Sequence, residues 1–161
     1  MTTDTQNYST ETTNRQFPSH TFYKPNRNGT GGAVTFNMSR DKQAVFVEAA
    51  NQIAEKRFDW DHKIVMKWGM SDLGIILAGL QGNLPESKLF HQTERANSAC
   101  TLRPVDPDSQ NNEMLSAFWF TISKQNGQDK SVTKVSITLS PGEAAILETA
   151  LKRAIEQILQ W

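Results

Sequence analysis

The sequence predicts an α+β domain in which a unit of four strands followed by one helix occurs twice. Three observations carry that prediction. Val34, Phe36 and Met38 alternate with Ala33, Thr35 and Asn37, the period of two expected of a strand with one buried face. Near the end of the chain, Ser140, Pro141 and Glu143 supply an N-cap, a first-turn proline and the acidic partner of a capping box. They precede an apolar stripe of Leu147, Ala150, Leu151, Ala154, Ile155 and Ile158. The third observation is internal similarity. Phe22, Tyr23, Lys24 leading to Gly32, Ala33, Val34 parallels Leu89, Phe90, His91 leading to Ser98, Ala99, Cys100, and Ser71, Asp72, Leu73 before Ile75, Ile76, Leu77 parallels Pro141, Gly142, Glu143 before Ala145, Ile146, Leu147.

Taken in order, residues 1–19 are rich in Thr, Asn, Gln and Ser and nearly free of large apolar side chains, so burial cannot offset their ordering entropy. They are expected to form a disordered polar tail, and residues 20–161 the folded domain. Short strands begin near Thr21, and Gly29, Gly31 and Gly32 mark a turn or a place where another backbone comes close. The run 44–54 opens with Val45, Phe46 and Val47 but passes into Ala49, Ala50 and Gln52; strand and helix compete there, and strand is favoured. Ile64, Met66 and Trp68 alternate with Lys63, Val65 and Lys67, giving one strand an apolar and a basic face. Ser71 is expected to cap a helix carrying Leu73, Ile76, Leu77 and Leu80, which Gly82, Asn83 and Pro85 end. In the second half, 88–93, 99–105, 114–124 and 132–139 are the strand candidates, with turns at Pro107 and Asp108 and at Asn126 and Gly127.

Composition narrows the function. A chain of 161 residues buries about 70% of its unfolded surface and needs no disulfide or metal to fold. The single cysteine, Cys100, cannot form an internal bridge, and no Cys/His array suggests a metal or cofactor; a reducing, cytoplasmic setting is expected. No apolar run reaches the ~18 residues of a membrane span, and the first seventeen residues carry only Arg15 as a basic group, which argues against a secretory or organelle presequence. Seventeen basic and seventeen acidic side chains cancel, so any nucleic-acid binding must rest on local placement of charge. There is no nucleophile elbow and no phosphate-cradling loop before a helix, since Gly29 to Gly32 precede a strand. Asp59, Asp61 and His62 could suggest a metal or an acid–base pair, but no distant partner completes a site, and a structural turn anchored by Trp60 explains them better. Catalysis is not expected.

At Phe58, Asp59, Trp60, Asp61, His62, Lys63 the chain resembles the Whirly family of single-stranded nucleic-acid-binding proteins, which carry Tyr-Asp-Trp-x-x-Lys after their third strand. Ser71, Asp72, Leu73, Gly74 is similar to the family's Thr-Glu-Ile-Gly helix start, Leu89, Phe90, His91 to its Phe-Phe-His strand, and Ile158, Leu159, Gln160, Trp161 to its apolar ending on Gly-Trp. The family's Lys-Gly-Lys-Ala-Ala-Leu motif after a Tyr is only partly kept: Tyr23 and Lys24 are present, but Gly31, Gly32, Ala33, Val34 stand where Lys-Ala-Ala-Leu is expected. The resemblance implies two roughly perpendicular four-stranded antiparallel sheets, two helices that pack protomers into a homotetramer, and strands of DNA or RNA running along the exposed sheet edges.

Binding a single strand without reading its sequence needs cations for phosphates and flat apolar faces for bases. The expected interface residues are Tyr23, Lys24, Arg27, Asn28, Lys63, Lys67, Trp68, Phe90, His91 and Trp119, with Phe118 a further aromatic candidate. Each has a plainer reading: a lysine on a strand can be solvated surface, and a tryptophan alternating with aliphatic residues can be core. The expected partner is single-stranded DNA, with roles in replication, recombination or repair. Single-stranded RNA binding or annealing is the alternative, and a non-catalytic protein-interaction scaffold the alternative from another class.

Overall fold

Alternating polar and apolar residues, broken by Gly- and Asn-containing turns, build nine strands among the described residues, 18–106 and 116–161 of this computed structural model. Residues 1–17 of the tail expected over 1–19, the turn at Pro107 and Asp108, and Met114 lie outside the described residues, while Ser19, expected in the tail, begins the first strand and pairs with Asn37. The first half runs β1 (Ser19–Lys24), β2 (Gly32–Ser39), β3 (Ala44–Ala54), β4 (Arg57–Phe58), a 3-10 turn (Trp60–His62), β5 (Ile64–Trp68) and helix α1 (Met70–Leu80). The second runs β6 (Ser87–Gln92), β7 (Ala96–Pro104), β8 (Phe118–Asn126), β9 (Val132–Leu139) and helix α2 (Pro141–Leu159). The duplicated strands-then-helix order is present, and each half forms its own antiparallel sheet.

In the first sheet β1, β2, β3 and β5 lie side by side, and the two-residue β4 pairs with the end of β3 across a bulge between Gln52 and Ala54. The ambiguous run 44–54 is therefore a strand throughout: as the central member it hydrogen-bonds on both edges, and that ladder overrides the helix propensity of its alanines. The second sheet has the order β6, β7, β8, β9. Strand parity sets the faces of both. Phe22, Val34, Phe36, Val47, Ile64, Met66 and Trp68 of the first sheet and Leu89, Cys100, Leu102, Phe120, Ile122, Val135 and Ile137 of the second turn inward and form one core, which Leu73 and Ile76 of α1 and Leu147 and Leu151 of α2 complete. Phe36, Trp68 and Phe120 meet at its centre with ring centroids 5.6–6.1 Å apart. Burial pushes the Cys100 thiol well above its ordinary range, which makes it an inert core residue.

Glycines admit two close approaches. A Cβ on Gly31 would collide with the Lys24 carbonyl oxygen, so only glycine lets the β1–β2 loop fold back on itself there, and Gly79 lets α1 lie directly on Ser87 of β6. The Ser87 hydroxyl donates to the Ile75 carbonyl at 2.7 Å across that contact.

The helix starts hold the halves together reciprocally. The N-cap of α1 is Gly69, not Ser71, which lies inside the first turn; Asp72 supplies the cap instead, its carboxylate accepting from the Gly69 backbone N–H at 3.1 Å. The same carboxylate lies 3.0 Å from Nε2 of His91 at the end of β6. In α2 the capping box is formed as expected, Glu143 N donating to the Ser140 hydroxyl and Ser140 N to Glu143 Oε1. That Glu143 oxygen also accepts from Nζ of Lys24 at the end of β1, at 2.7 Å. The first strand of each half thus grips the first turn of the other half's helix, so that both helix starts are fixed by a strand end.

This pairing has a pH signature. Partial burial raises the Glu143 pKa, but the hydrogen bond and charge of Lys24 and the bonds from Ser140 outweigh it, and the net shift is downward from the ordinary 4.5. A depressed carboxylate stabilises the fold above its unfolded pKa, and that contribution is lost as pH falls through the folded value. Urea midpoints measured from pH 6 down to about pH 3 are expected to drop less steeply in Lys24→Met than in the parent. Identical acid slopes would show that the pair contributes nothing to stability.

Candidate nucleic-acid interface

Because the inner faces pack together, the outer faces of the two sheets are left to solvent, and alternation decides what they display. The outward positions of the second sheet are Lys88, Phe90 and Gln92 on β6; Asn97, Ala99, Thr101 and Arg103 on β7; Trp119, Thr121, Ser123 and Gln125 on β8; and Val132, Lys134, Ser136 and Thr138 on β9. None of these strand positions carries a carboxylate. Phe90 is 64% exposed and Trp119 38%. Arg103 stands beside Trp119 in register, its guanidinium carbon 6.0 Å from the ring centroid, the range of a cation–π contact. Among the described residues Arg103 and Lys134 are in no salt bridge, while Lys88 lies 3.6 Å from Glu86 just before its strand. Hydroxyls fill the centre of the face, where Thr121 and Ser136 share a hydrogen bond of 2.6 Å.

The first sheet's outer face is divided. Along β5, Lys63, Val65 and Lys67 point to solvent as their alternation requires, with Lys63 held 3.0 Å from Glu48. At the other end Tyr23, 59% exposed, leans on Phe58 with ring centroids 5.7 Å apart. Their strands are separated by Ala33 and Ala50, which follow Tyr23 in register and are themselves shielded. Arg27 and Asn28 are exposed on the β1–β2 loop, and buried Gln52 holds that loop in place. Its Oε1 accepts from Asn26 N and Gly31 N, both at 3.0 Å, and its Nε2 donates to the carbonyls of Asn26 and Ala54.

Seven of the ten expected interface residues are therefore on open surface: Tyr23, Arg27, Asn28, Lys63, Lys67, Phe90 and Trp119. Three are placed otherwise. Trp68 is 0% exposed, wedged between Phe36 and Phe120, so it cannot stack on a base; the alternation that put Lys67 outside put Trp68 inside. Its indole N–H has no hydrogen-bond partner among the described residues, a cost of about 1–3 kcal/mol that this packing carries. Lys24 faces inward and is tied to Glu143, and His91 is tied to Asp72. Phe118 is half-buried against the core. The residues absent from the sequence-based set, Lys88, Arg103 and Lys134, follow the same parity rule once Leu89, Leu102 and Val135 are recognised as inward.

Asp59 and His62 form the local pair expected of a turn, His62 Nδ1 lying 3.0 Å from both carboxylate oxygens, which raises the imidazole pKa first through the hydrogen bond and then through charge. Among the described residues no cluster of His, Cys, Asp and Glu is placed to hold a metal ion, and no helix is long and apolar enough to cross a membrane.

Solved structures share this fold. A crystal structure of WHY1 from Arabidopsis thaliana superposes with a TM-score of 0.70 at 16% identity, covering 90% of this chain and 86% of that one. The plant transcriptional regulator PBF-2 matches with a TM-score of 0.71 at 21% identity, covering 90% and 84%. A guide-RNA-binding protein complex bound to its RNA matches with a TM-score of 0.58 at 12% identity, covering 86% and 90%. No curated protein matches the sequence. The family model described as Whirly transcription factor matches residues 25–150, most of the domain, and the chain belongs to the Whirly family.

Proposed function

We propose that this protein binds single-stranded DNA with little sequence preference and without catalysis, protecting or organising the strand in replication, recombination or repair. The observation that carries this reading is the outer face of the second sheet, where Phe90 and Trp119 are exposed among Lys88, Arg103, Lys134 and a field of hydroxyls and amides, with no carboxylate on its strands. Bases stack on such rings whatever their identity, and cations neutralise phosphates locally although the whole chain has a formal net charge of zero. Exposed apolar groups on and after α2, Ile146, Leu159 and Trp161, support assembly through the helices into a homotetramer. RNA is the second reading, favoured by the fold shared with a guide-RNA-binding complex.

Fluorescence anisotropy of a labelled ~30-nucleotide DNA strand, with matched RNA and duplex DNA, at two salt concentrations tests this. Each phosphate that the protein neutralises steepens the fall of log affinity with log salt by about 0.7 for a single strand. Tight binding to DNA single strands with a steep slope is expected, weakened when Lys63 and Lys67 are both changed to Ala. Binding of RNA alone would exchange the two readings, and no binding to any of them would leave a protein-interaction scaffold.

A further inference from the structure

Several connections differ in length between the two halves of the fold, and one of those differences builds a cleft. β8 and β9 are joined by residues 127–131, whereas the equivalent strands of the first half, β3 and β5, are joined by residues 55–63. The longer connection folds into the β3–β4 hairpin and the 3-10 turn, and brings Lys56, Arg57, Phe58 and Trp60 beside Tyr23. Tyr23 occupies the place in β1 that Phe90 occupies in β6: both are outward and exposed, and both follow a buried residue, Phe22 and Leu89. Phe90 stands open on a flat sheet, whereas Tyr23 has Phe58 against it, the two rings inclined at 48°.

With Pro25 and Trp60 these rings line a cleft of about 410 Å³, within the range of about 300–1,000 Å³ typical of small-molecule sites. Lys56 and Arg57 are exposed at its edge and in no salt bridge among the described residues. Arg27 lines the adjoining cleft, which shares Pro25 and Lys56 with the first. Among the described residues Glu55 is the one carboxylate lining either, so three cations face one acid. The Gln52 hydrogen bonds tie the Arg27 loop to the hairpin, so the corner is formed before any ligand arrives.

We propose that this corner is a nucleotide clamp, separate from the flat face of the second sheet: one unstacked base lies against the Tyr23–Phe58 ring pair and its flanking phosphates meet Arg57, Lys56 and Arg27. The proposal rests on the single-strand reading and assigns a defined anchor to it. A strand is then held at two unlike places, an open platform on one side of the core and a shallow, ring-lined corner on the other. Sequence tolerance remains, because every base has a face to offer the rings.

The test pairs affinity with a local reporter. Tyr23→Ala with Arg57→Gln, both exposed positions, is expected to weaken binding of a ~30-nucleotide single strand at least tenfold and to lower the logarithmic salt slope by about 0.7, one phosphate contact. In a Trp119→Phe background, oligothymidine is expected to quench tryptophan fluorescence still, and Trp60→Phe to remove that quenching. If the parent binds tightly while Tyr23→Ala with Arg57→Gln binds equally well, the clamp is overturned and the single-strand reading stands. If the parent binds no single strand, the reading itself fails and the clamp falls with it.

Discussion

Phe120→Ala is expected to lower the unfolding free energy by about 3–5 kcal/mol, the cost of losing a buried aromatic ring and leaving a cavity that its surroundings fill only in part. Phe120 is 0% exposed and stands where the two sheets meet, 5.9 Å from the Phe36 ring and 6.1 Å from Trp68 by ring centroids. No neighbour can close the gap easily, because Phe36 and Trp68 are held by ladders in the other sheet. A domain of this size is stable by only about 5–15 kcal/mol, so the loss is a large fraction of the total. Urea unfolding followed by tryptophan fluorescence measures it directly. A change below about 1 kcal/mol would mean that the sheets repack against each other freely and that the three-ring centre does not hold them in place.

Phe90→Ala combined with Trp119→Ala is the substitution expected to cost most in binding. Each stacked base contributes about 1–3 kcal/mol, so removing both platforms should weaken single-strand affinity by about 2–6 kcal/mol, from about thirtyfold to more than a thousandfold. Both side chains are exposed, and surface changes of this kind usually move stability by no more than about 0.5 kcal/mol each. Affinity and stability therefore separate: anisotropy should report a large loss while the urea midpoint stays nearly fixed. Unchanged affinity would remove the second sheet's outer face from the site and leave the corner around Tyr23 as the place where bases stack.

The alternation in Val34 to Met38 and in Lys63 to Trp68 is enough to read strands and their faces, because a strand's period of two is a local property of the backbone. The same rule places Lys63, Lys67 and Val65 on the surface, where the structure has them. It also marks Trp68 as inward; an aromatic ring on a basic strand suggests a base platform, but parity with Ile64 and Met66 overrides that suggestion. The run 44–54 is harder. Its alanines suit a helix, and what decides for strand is the pair of neighbours that hydrogen-bond to it, neither of them visible in the run itself.

Lys24 and His91 show where local reading stops. Both lie at the end of the strand that opens their half, and nothing nearby in sequence occupies either of them. The fold brings a carboxylate from the first turn of a helix within about 3 Å of each; Glu143 lies 119 residues along the chain from Lys24. The N-cap of α1 moved for a related reason, since Asp72 reaches back to Gly69 and so serves the helix from its first turn.

What the sequence determined by itself was the duplicated strands-then-helix order, the alternating faces of β2 and β5, and the capping of α2. These follow from backbone geometry and near-neighbour chemistry acting over a few residues. Only the tertiary structure decided which outward residues share a surface. Phe90 and Trp119 belong to strands separated by β7, Tyr23 and Phe58 meet across β2 and β3, and the cations around each pair come from different turns and strands. Proximity between residues far apart in the chain is set by how the sheets register and pack, a property of the whole core that no local pattern contains.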